Sequence, residues 1–295
     1  MIKFYNRREQ CYEVENVAAG KFIDYIYTTT LGRNLLEILF KKKVLTSLYG
    51  KYCDLSISKR GIQKFVEDFD MDMSEYEKNI KDYNSFNDFF YRKLKSNSRQ
   101  ISLDKNILIS PCDSKLLVID SIDENTSFKV KGFTYNVKDL LKNESLASKY
   151  KSGSCLIFRL CPTDYHRFHF IDNGLCSPSK YIPGHYYSVN PIALENVSKV
   201  FCENKREYST FHSENFNDIV YIEVGATFVG SIIQTYDESK PIYKGEEKGY
   251  FKFGGSTVIL LFEKDTVKLD DDLISNSNNG IETLVKFGDK IGVRF

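Results

Sequence analysis

An α+β fold, with an N-terminal helical segment packed on a mostly antiparallel β domain, is what the sequence predicts. Three observations carry it. From about Gly20 to Leu94 apolar residues recur mostly near the 3.6-residue helical period, whereas beyond about Ile107 short strand-like apolar runs dominate. Glycines then punctuate those runs at Gly225, Gly230, Gly245, Gly249, Gly254 and Gly255, as hairpins and bulges require.

In chain order, Leu31, Leu35, Ile38 and Leu39, then Leu45, Leu48, Tyr49 and Tyr52, mark helical stripes. The same region is basic: Arg33 to Lys64 holds eight basic residues against Glu37 and Asp54, so its net charge is 8 − 2 = +6. A basic amphipathic stretch suits an anionic bilayer surface, and equally a helical subdomain with a solvated face. Strands are expected at Lys115–Ile119, Ser154–Leu160, Ile219–Val224, Thr227–Ile233 and Thr257–Phe262, with a final turn and strand in Lys286–Phe295. Asp270–Gly280 reads as a polar loop. The division expected is a helical, membrane-associating region over 1–95 and a β-rich domain over 96–295.

Composition narrows the function classes. Lys and Arg total 41 and Asp and Glu 40, a balance that gives no reason to expect nucleic acid as a partner. Seven cysteines without a CxxC pair fit a reducing compartment, and the four histidines show no zinc-site spacing, so no metal is expected. No apolar run approaches the roughly 20 residues that span a bilayer, and MIKFYNRREQ does not read as a secretory signal. The expected location is the cytoplasm, in peripheral contact with the cytoplasmic face of the membrane.

Three segments carry chemistry. In Phe253-Gly254-Gly255-Ser256-Thr257-Val258, two glycines precede a serine that opens an apolar strand. Glycine permits a bent backbone that would present the Ser256 hydroxyl to the Gly255 carbonyl, although such a run is also an ordinary turn before a strand. Pro162 to His169 places His166 and His169 within a run of four residues, beside Tyr165 and Arg167. A histidine there suits proton transfer near neutral pH, or a structural turn. In Ser110-Pro111-Cys112-Asp113-Ser114, Asp113 could orient a histidine or close an Asx-turn.

Together these segments resemble the phosphatidylserine decarboxylases, over about Ser85 to Phe295. The resemblance runs through Ser85-Phe86-Asn87-Asp88-Phe89-Phe90 with Arg92, Ser110-Pro111-Cys112-Asp113 and Asp164-Tyr165-His166-Arg167-Phe168-His169. It continues through Pro183-Gly184 with Ser188-Val189-Asn190, Val224 to Ser231, and Lys248 to Thr257. Ser114 stands where many relatives have glycine, and Gly-Gly-Ser where some have Leu-Gly-Ser.

The resemblance implies a self-processing triad of Asp113, His169 and Ser256, with cleavage between Gly255 and Ser256. Residues 1–255 then form the β chain and 256–295 the α chain, the two remaining associated. Ser256 becomes a covalent pyruvoyl cofactor, whose ketone captures the amine of phosphatidylserine and accepts electrons as CO2 leaves, giving phosphatidylethanolamine. His166 is the candidate for contacting substrate. The partner is phosphatidylserine in the membrane, and a homo-oligomer is compatible with the chain. Rival readings are a serine hydrolase, which lacks its GxSxG elbow here, a lipoyl-type carrier hinted at by Phe287-Gly288-Asp289, and a pyruvoyl decarboxylase of a soluble amino acid.

Overall fold

The computed structural model describes residues 2–15, 25, 27–29, 43–226, 231–253 and 256–295. Its first half runs through β1 (Lys3–Asn6), β2 (Cys11–Val14), α1 (Lys43–Asp54), α2 (Ile62–Asp68), α3 (Phe86–Phe90), β3 (Ile107–Ile109) and β4 (Ser114–Ile119). There follow β5 (Ser127–Val130), β6 (Phe133–Asn136), α4 (Val137–Leu141), α5 (Glu144–Ser148), β7 (Ser154–Leu160), β8 (Arg167–His169), β9 (Gly174–Cys176) and β10 (Lys180–Ile182). Then come α6 (Pro191–Asn196), α7 (Val200–Glu203), β11 (Arg206–Ser213), β12 (Asp218–Gly225), β13 (Ile232–Gln234) and β14 (Glu247–Phe251). The C-terminal elements are β15 (Ser256–Phe262), β16 (Val267–Leu269), α8 (Asp271–Asn278), β17 (Glu282–Val285) and β18 (Lys290–Arg294).

A ten-stranded sheet organises the molecule, in the order β10-β11-β12-β15-β7-β4-β17-β1-β2, with β9 also paired to β11. Every pairing in it is antiparallel except β1 with β17. The middle strands β7 and β15 are buried at every position, because the sheet is covered on both faces. That is why they read as unbroken apolar runs rather than as alternating ones. Alternation still sorts their side chains: Ile157, Ile259 and Leu261 enter one core, while Leu156, Phe158, Val258, Leu260 and Phe262 enter the other. The first core is closed by α4 to α7 and the hairpin β5–β6, through Phe128, Tyr135, Leu140, Ala193 and Phe201. The second is closed by a three-stranded sheet, β13-β14-β8, through Ile232, Phe251 and Phe168. A further sheet, β16-β18-β3, joins the same core with Leu108, Ile109, Val267 and Ile291.

The mixed, mostly antiparallel α+β class is as expected. Ser154–Leu160 is β7, and Lys115–Ile119, Ile219–Val224 and Thr257–Phe262 fall within β4, β12 and β15, with β18 in the final segment. Of Thr227–Ile233, residues 227–230 lie outside the described residues, and Ile232 and Ile233 fall in β13. Asp270–Gly280 is a correction. It is not a loop: α8 occupies most of it, with two aspartates in its first turn and Leu273 buried, and Gly280 ends it at φ +72°. Residues 3–14, without a strand signal in the sequence, extend the large sheet as β1 and β2.

The stripe Leu31–Leu39 lies outside the described residues. Its continuation, α1, carries Leu48, Tyr49 and Tyr52 exposed rather than buried, and Leu55 and Ile57 beyond it are exposed too. Ile62, Val66, Tyr83 and Phe89 form a small separate core beneath α2 and α3.

Candidate active site

Ser256 opens β15, paired with Gly225 of β12 on one side and Leu160 of β7 on the other. Alternation places it on the face of Val258 and Leu260, under the three-stranded sheet. Its side chain is fully buried, and among the described residues its Oγ has no hydrogen-bond partner. A buried hydroxyl left in that state costs about 1–3 kcal/mol, so it asks for a chemical explanation. Gly254 and the expected cleavage residue Gly255 lie outside the described residues.

The chain approaches this serine through a clamp built by α3. Ser85 caps α3, its Oγ accepting from the Asp88 N–H at 3.1 Å. Asn87 is thereby turned so that its Oδ1 accepts the Phe253 N–H at 2.8 Å, while its Nδ2 donates to Asp54 at 2.9 Å. The Phe253 ring sits among Phe86, Phe90 and Tyr49, with centroids 5.1, 5.0 and 5.6 Å away. Residue 253 is therefore fixed by both backbone and ring just before the two glycines.

His166 is fully buried and stacks on Phe90 at 3.9 Å. Its Nδ1 lies 2.9 Å from the Asp164 carbonyl, and its own carbonyl accepts the Phe251 N–H at 2.9 Å. The turn that presents it is held by buried Arg92, whose Nη2 donates to the carbonyls of Thr163 and Asp164 at 2.6 and 3.0 Å. The first histidine of the pair thus lies against the strand that leads into the glycines.

His169 closes β8. Its Nδ1 is 3.0 Å from the Gly245 carbonyl and its Nε2 3.0 Å from the Tyr165 hydroxyl. A carbonyl only accepts, so the neutral ring carries its proton on Nδ1 and Nε2 accepts from Tyr165. Burial drives the His169 pKa down to about 4, which keeps the ring an uncharged base at neutral pH. Gly249, where β14 bulges against β8, has to be glycine: a Cβ there would lie 2.2 Å from the Ile233 carbonyl oxygen and 2.8 Å from the Phe168 ring.

Asp113 precedes β4. Its Oδ1 accepts the Phe287 N–H at 2.7 Å and its Oδ2 accepts from Arg99 at 3.0 Å. Burial pushes its carboxyl up, and the Arg99 guanidinium opposes that shift. Among the described residues no hydrogen bond joins Asp113 to His169. They meet instead at Phe287, whose N–H holds the carboxylate and whose ring stacks on His169 at 3.8 Å and 16°. Phe287-Gly288-Asp289, the segment hinting at a carrier module, here supports two of the expected reacting residues.

A buried ion pair adjoins the site. Lys248 of β14 donates to Glu223 of β12 at 2.8 Å and to Gln234 at 2.9 Å, both charged side chains being fully buried. The ammonium lies 5.7, 5.5 and 5.0 Å from the rings of Phe168, Tyr221 and Tyr236. Glu223 is opposite Val258, two residues along from the Gly225–Ser256 pair and on the same face. Lys248, Asn87, Arg92 and Tyr165 stood within the segments of the resemblance but carried no assigned role. Arg99 gave no signal in the sequence. Among the described residues, no group of three or more His, Cys, Asp or Glu side chains is disposed to hold a metal ion.

Comparison with known proteins identifies the family. The family model described as "Phosphatidylserine decarboxylase" matches residues 86–293. A protein of Clostridium botulinum (strain Langeland) named "Phosphatidylserine decarboxylase proenzyme" is 55% identical over 292 residues, covering 99% of each chain. One of the same name from Desulfitobacterium hafniense (strain Y51) is 56% identical over 294 residues, and one from Clostridium tetani 56% over 295, each covering 100% of this chain and 99% of the relative. With a strand-opening serine behind two glycines, a buried neutral histidine and near-complete alignment to these relatives, the chain belongs to the phosphatidylserine decarboxylase family.

Proposed function

We propose that the chain is a proenzyme that cleaves itself at Gly255–Ser256 and then, as a pyruvoyl enzyme, decarboxylates phosphatidylserine to phosphatidylethanolamine. The single observation that carries the site is the buried Ser256 Oγ with no partner among the described residues, directly after Gly254–Gly255.

In self-processing, the Ser256 Oγ attacks the Gly255 carbonyl carbon as the neutral His169 system takes its proton. The C–N bond breaks, the new C–O bond leaves an ester, and the serine nitrogen becomes a free amine. Loss of the Ser256 α-proton expels the Gly255 carboxylate and leaves dehydroalanine, and hydrolysis releases ammonia. Asp113, held by Arg99 and the Phe287 N–H, is assigned the role of offsetting the positive charge of the imidazole while it is protonated, the two residues meeting through Phe287. The resulting group supplies an electrophilic ketone that captures the substrate amine and takes up the electrons of the departing CO2. His166, packed between Phe90 and the strand leading to the glycines, is our candidate for contacting the substrate carboxylate or returning a proton. The α-chain strand β15 stays between β12 and β7, which supports continued association of the two chains.

Membrane contact falls to the helical region up to about residue 95, the β-rich part from 96 onward holding the chemistry. Leu48, Tyr49, Tyr52, Leu55 and Ile57 are exposed beside Lys51, Lys59 and Arg60, and Tyr49 touches Phe253. An apolar surface edged with positive charge fits the anionic cytoplasmic leaflet. Among the described residues no helix is long and apolar enough to cross a membrane, so the attachment proposed is peripheral. Flotation with phosphatidylserine vesicles should carry the protein up, and Leu48→Glu with Leu55→Glu should leave it at the bottom.

The decisive measurement is the intact mass of the purified protein. Two chains are expected, the smaller beginning at position 256 without a free amine, and Ser256→Ala should remain one inactive chain. A Ser256→Ala protein that still splits there would refute the reading.

A further inference from the structure

Arg99 has no assigned role, yet it is the cation in direct contact with Asp113. It lies on the connection between α3 and β3 and is itself buried, with 6% of its side chain exposed against 9% for Asp113. One Nη donates to Asp113 Oδ2 at 3.0 Å, and the other nitrogen of its fork grips Glu75. Glu75 in turn pairs with Lys286 at 3.3 Å. The chain of alternating charge, Lys286–Glu75–Arg99–Asp113, therefore begins beside Phe287 and ends on the carboxylate that Phe287 also holds.

This geometry does two things that a neutral side chain would not. It aims the carboxylate, since one oxygen is committed to Arg99 and the other to a backbone N–H, leaving no freedom to rotate. It also supplies a full positive charge at contact distance to a carboxylate that water does not reach, and an isolated buried carboxylate takes up a proton rather than stay charged. The other groups facing Asp113 do not replace it. Lys286 acts from farther away with its ammonium engaged by Glu75, Asp164 repels, and Tyr76, Tyr165 and Cys112 are buried with their pKa values raised. His169 stacks on the Phe287 ring and is neutral.

We infer that Arg99 is a positioning residue for self-processing, orienting the Asp113 carboxylate and keeping it ionised so that it can support His169. This rests on the reading of Asp113, His169 and Ser256 given above.

The test uses full-length precursor made by cell-free translation and shifted into buffers from acid to mildly alkaline, with cleavage followed on denaturing gels. In Arg99→Met the acid limb of the processing rate should move up by about 1 pH unit or more, the size of shift an opposite charge at contact produces. The rate should therefore fall about tenfold on the acid side of the limb, with the loss fading toward alkaline pH. Arg99→Lys keeps the charge but not the fork, so it should retain the acid limb of the parent and lose at least about threefold in rate through poorer aim. A side chain that only supports the fold would lower the rate equally at every pH, and an unmoved acid limb in Arg99→Met overturns the inference. Should Arg99→Met not accumulate as folded protein, Arg99→Lys decides, and parental speed there overturns it.

Asp113→Asn separates this from the underlying reading. If Asp113→Asn matures normally, the role of Asp113 itself is wrong. If it is blocked while both Arg99 variants behave as the parent does, only the inference about Arg99 fails. Adding Arg99→Met to Asp113→Asn should cost nothing further.

Discussion

Replacing Lys248 by Met removes one half of a fully buried ion pair and leaves the other half in place. Glu223 then keeps its carboxylate in a region that water does not enter, with Gln234 as its remaining neighbour on that side. Breaking such a pair costs about 3–5 kcal/mol, far more than the pair contributes over a well-packed apolar substitute. Burial already pushes the Glu223 carboxyl up against the pull of Lys248, so in the variant it should take up a proton more readily still. The sign follows: a carboxyl whose folded pKa lies above its unfolded value is relieved by acid, so the deficit of the variant relative to its parent should shrink as pH falls. Ser256→Ala precursor is the right background, because it is one uncut chain, and urea unfolding at neutral pH gives the free energy. Lys248→Met should lose about 3 kcal/mol there, and Lys248→Met with Glu223→Leu should recover to within about 1 kcal/mol of the parent. A single variant that loses under about 1 kcal/mol, or a double variant no better than the single, would refute the reasoning. Because Glu223 lies one same-face step from Ser256's partner Gly225, the single variant should also mature slowly when the serine is present.

Two further outcomes are expected. Phe287→Ala keeps the N–H that Asp113 accepts but removes the ring under His169, so maturation should slow by about 100-fold, with Phe287→Tyr near parental speed. Gel-based cleavage rates check it, and rapid maturation of the alanine variant would show that the ring positions nothing. Stability should also fall in acid through His169: its folded pKa of about 4 lies below the ordinary 6.5, so its contribution is complete above 6.5 and is lost as pH drops through 4. The gap corresponds to about 3 kcal/mol, and His169→Gln in the Ser256→Ala background should show a correspondingly flatter acid limb in its unfolding midpoint.

What could be read in the sequence was what is local. Strands β7 and β15 announce themselves because both faces of the sheet are covered, and Gly254-Gly255-Ser256 draws notice only in company with the other segments, since alone it reads as a turn before a strand. Helix α8 was hidden by its polarity: one buried leucine and an acidic first turn are a faint signal among so many aspartates, asparagines and serines. The hairpin β1–β2 was hidden by shortness, four residues a strand, with much of β2 facing solvent. The apolar stripe of α1 was visible, but its periodicity says only that one side differs from the other, not that the apolar side is covered.

The residues proposed to react could be picked out for the same reason, and their supports could not. Asp113 accepts from Phe287 across 174 positions of chain, and a pattern search has no handle on such a pairing. His169 faces a backbone carbonyl and a tyrosine hydroxyl rather than a carboxylate, a detail that only the packing of β8 against the Gly245 turn decides.

The position of β15 and β17, each inserted between strands from the other side of the proposed scission, has a consequence for the working life of the protein. After the proposed cut neither product would own a complete sheet, so the two pieces should part only by unfolding. A ketone made from the backbone at the mouth of such a strand would have no route out and no replacement route in. Each chain would then hold a single prosthetic group, and chemical damage to that group would retire the whole polypeptide.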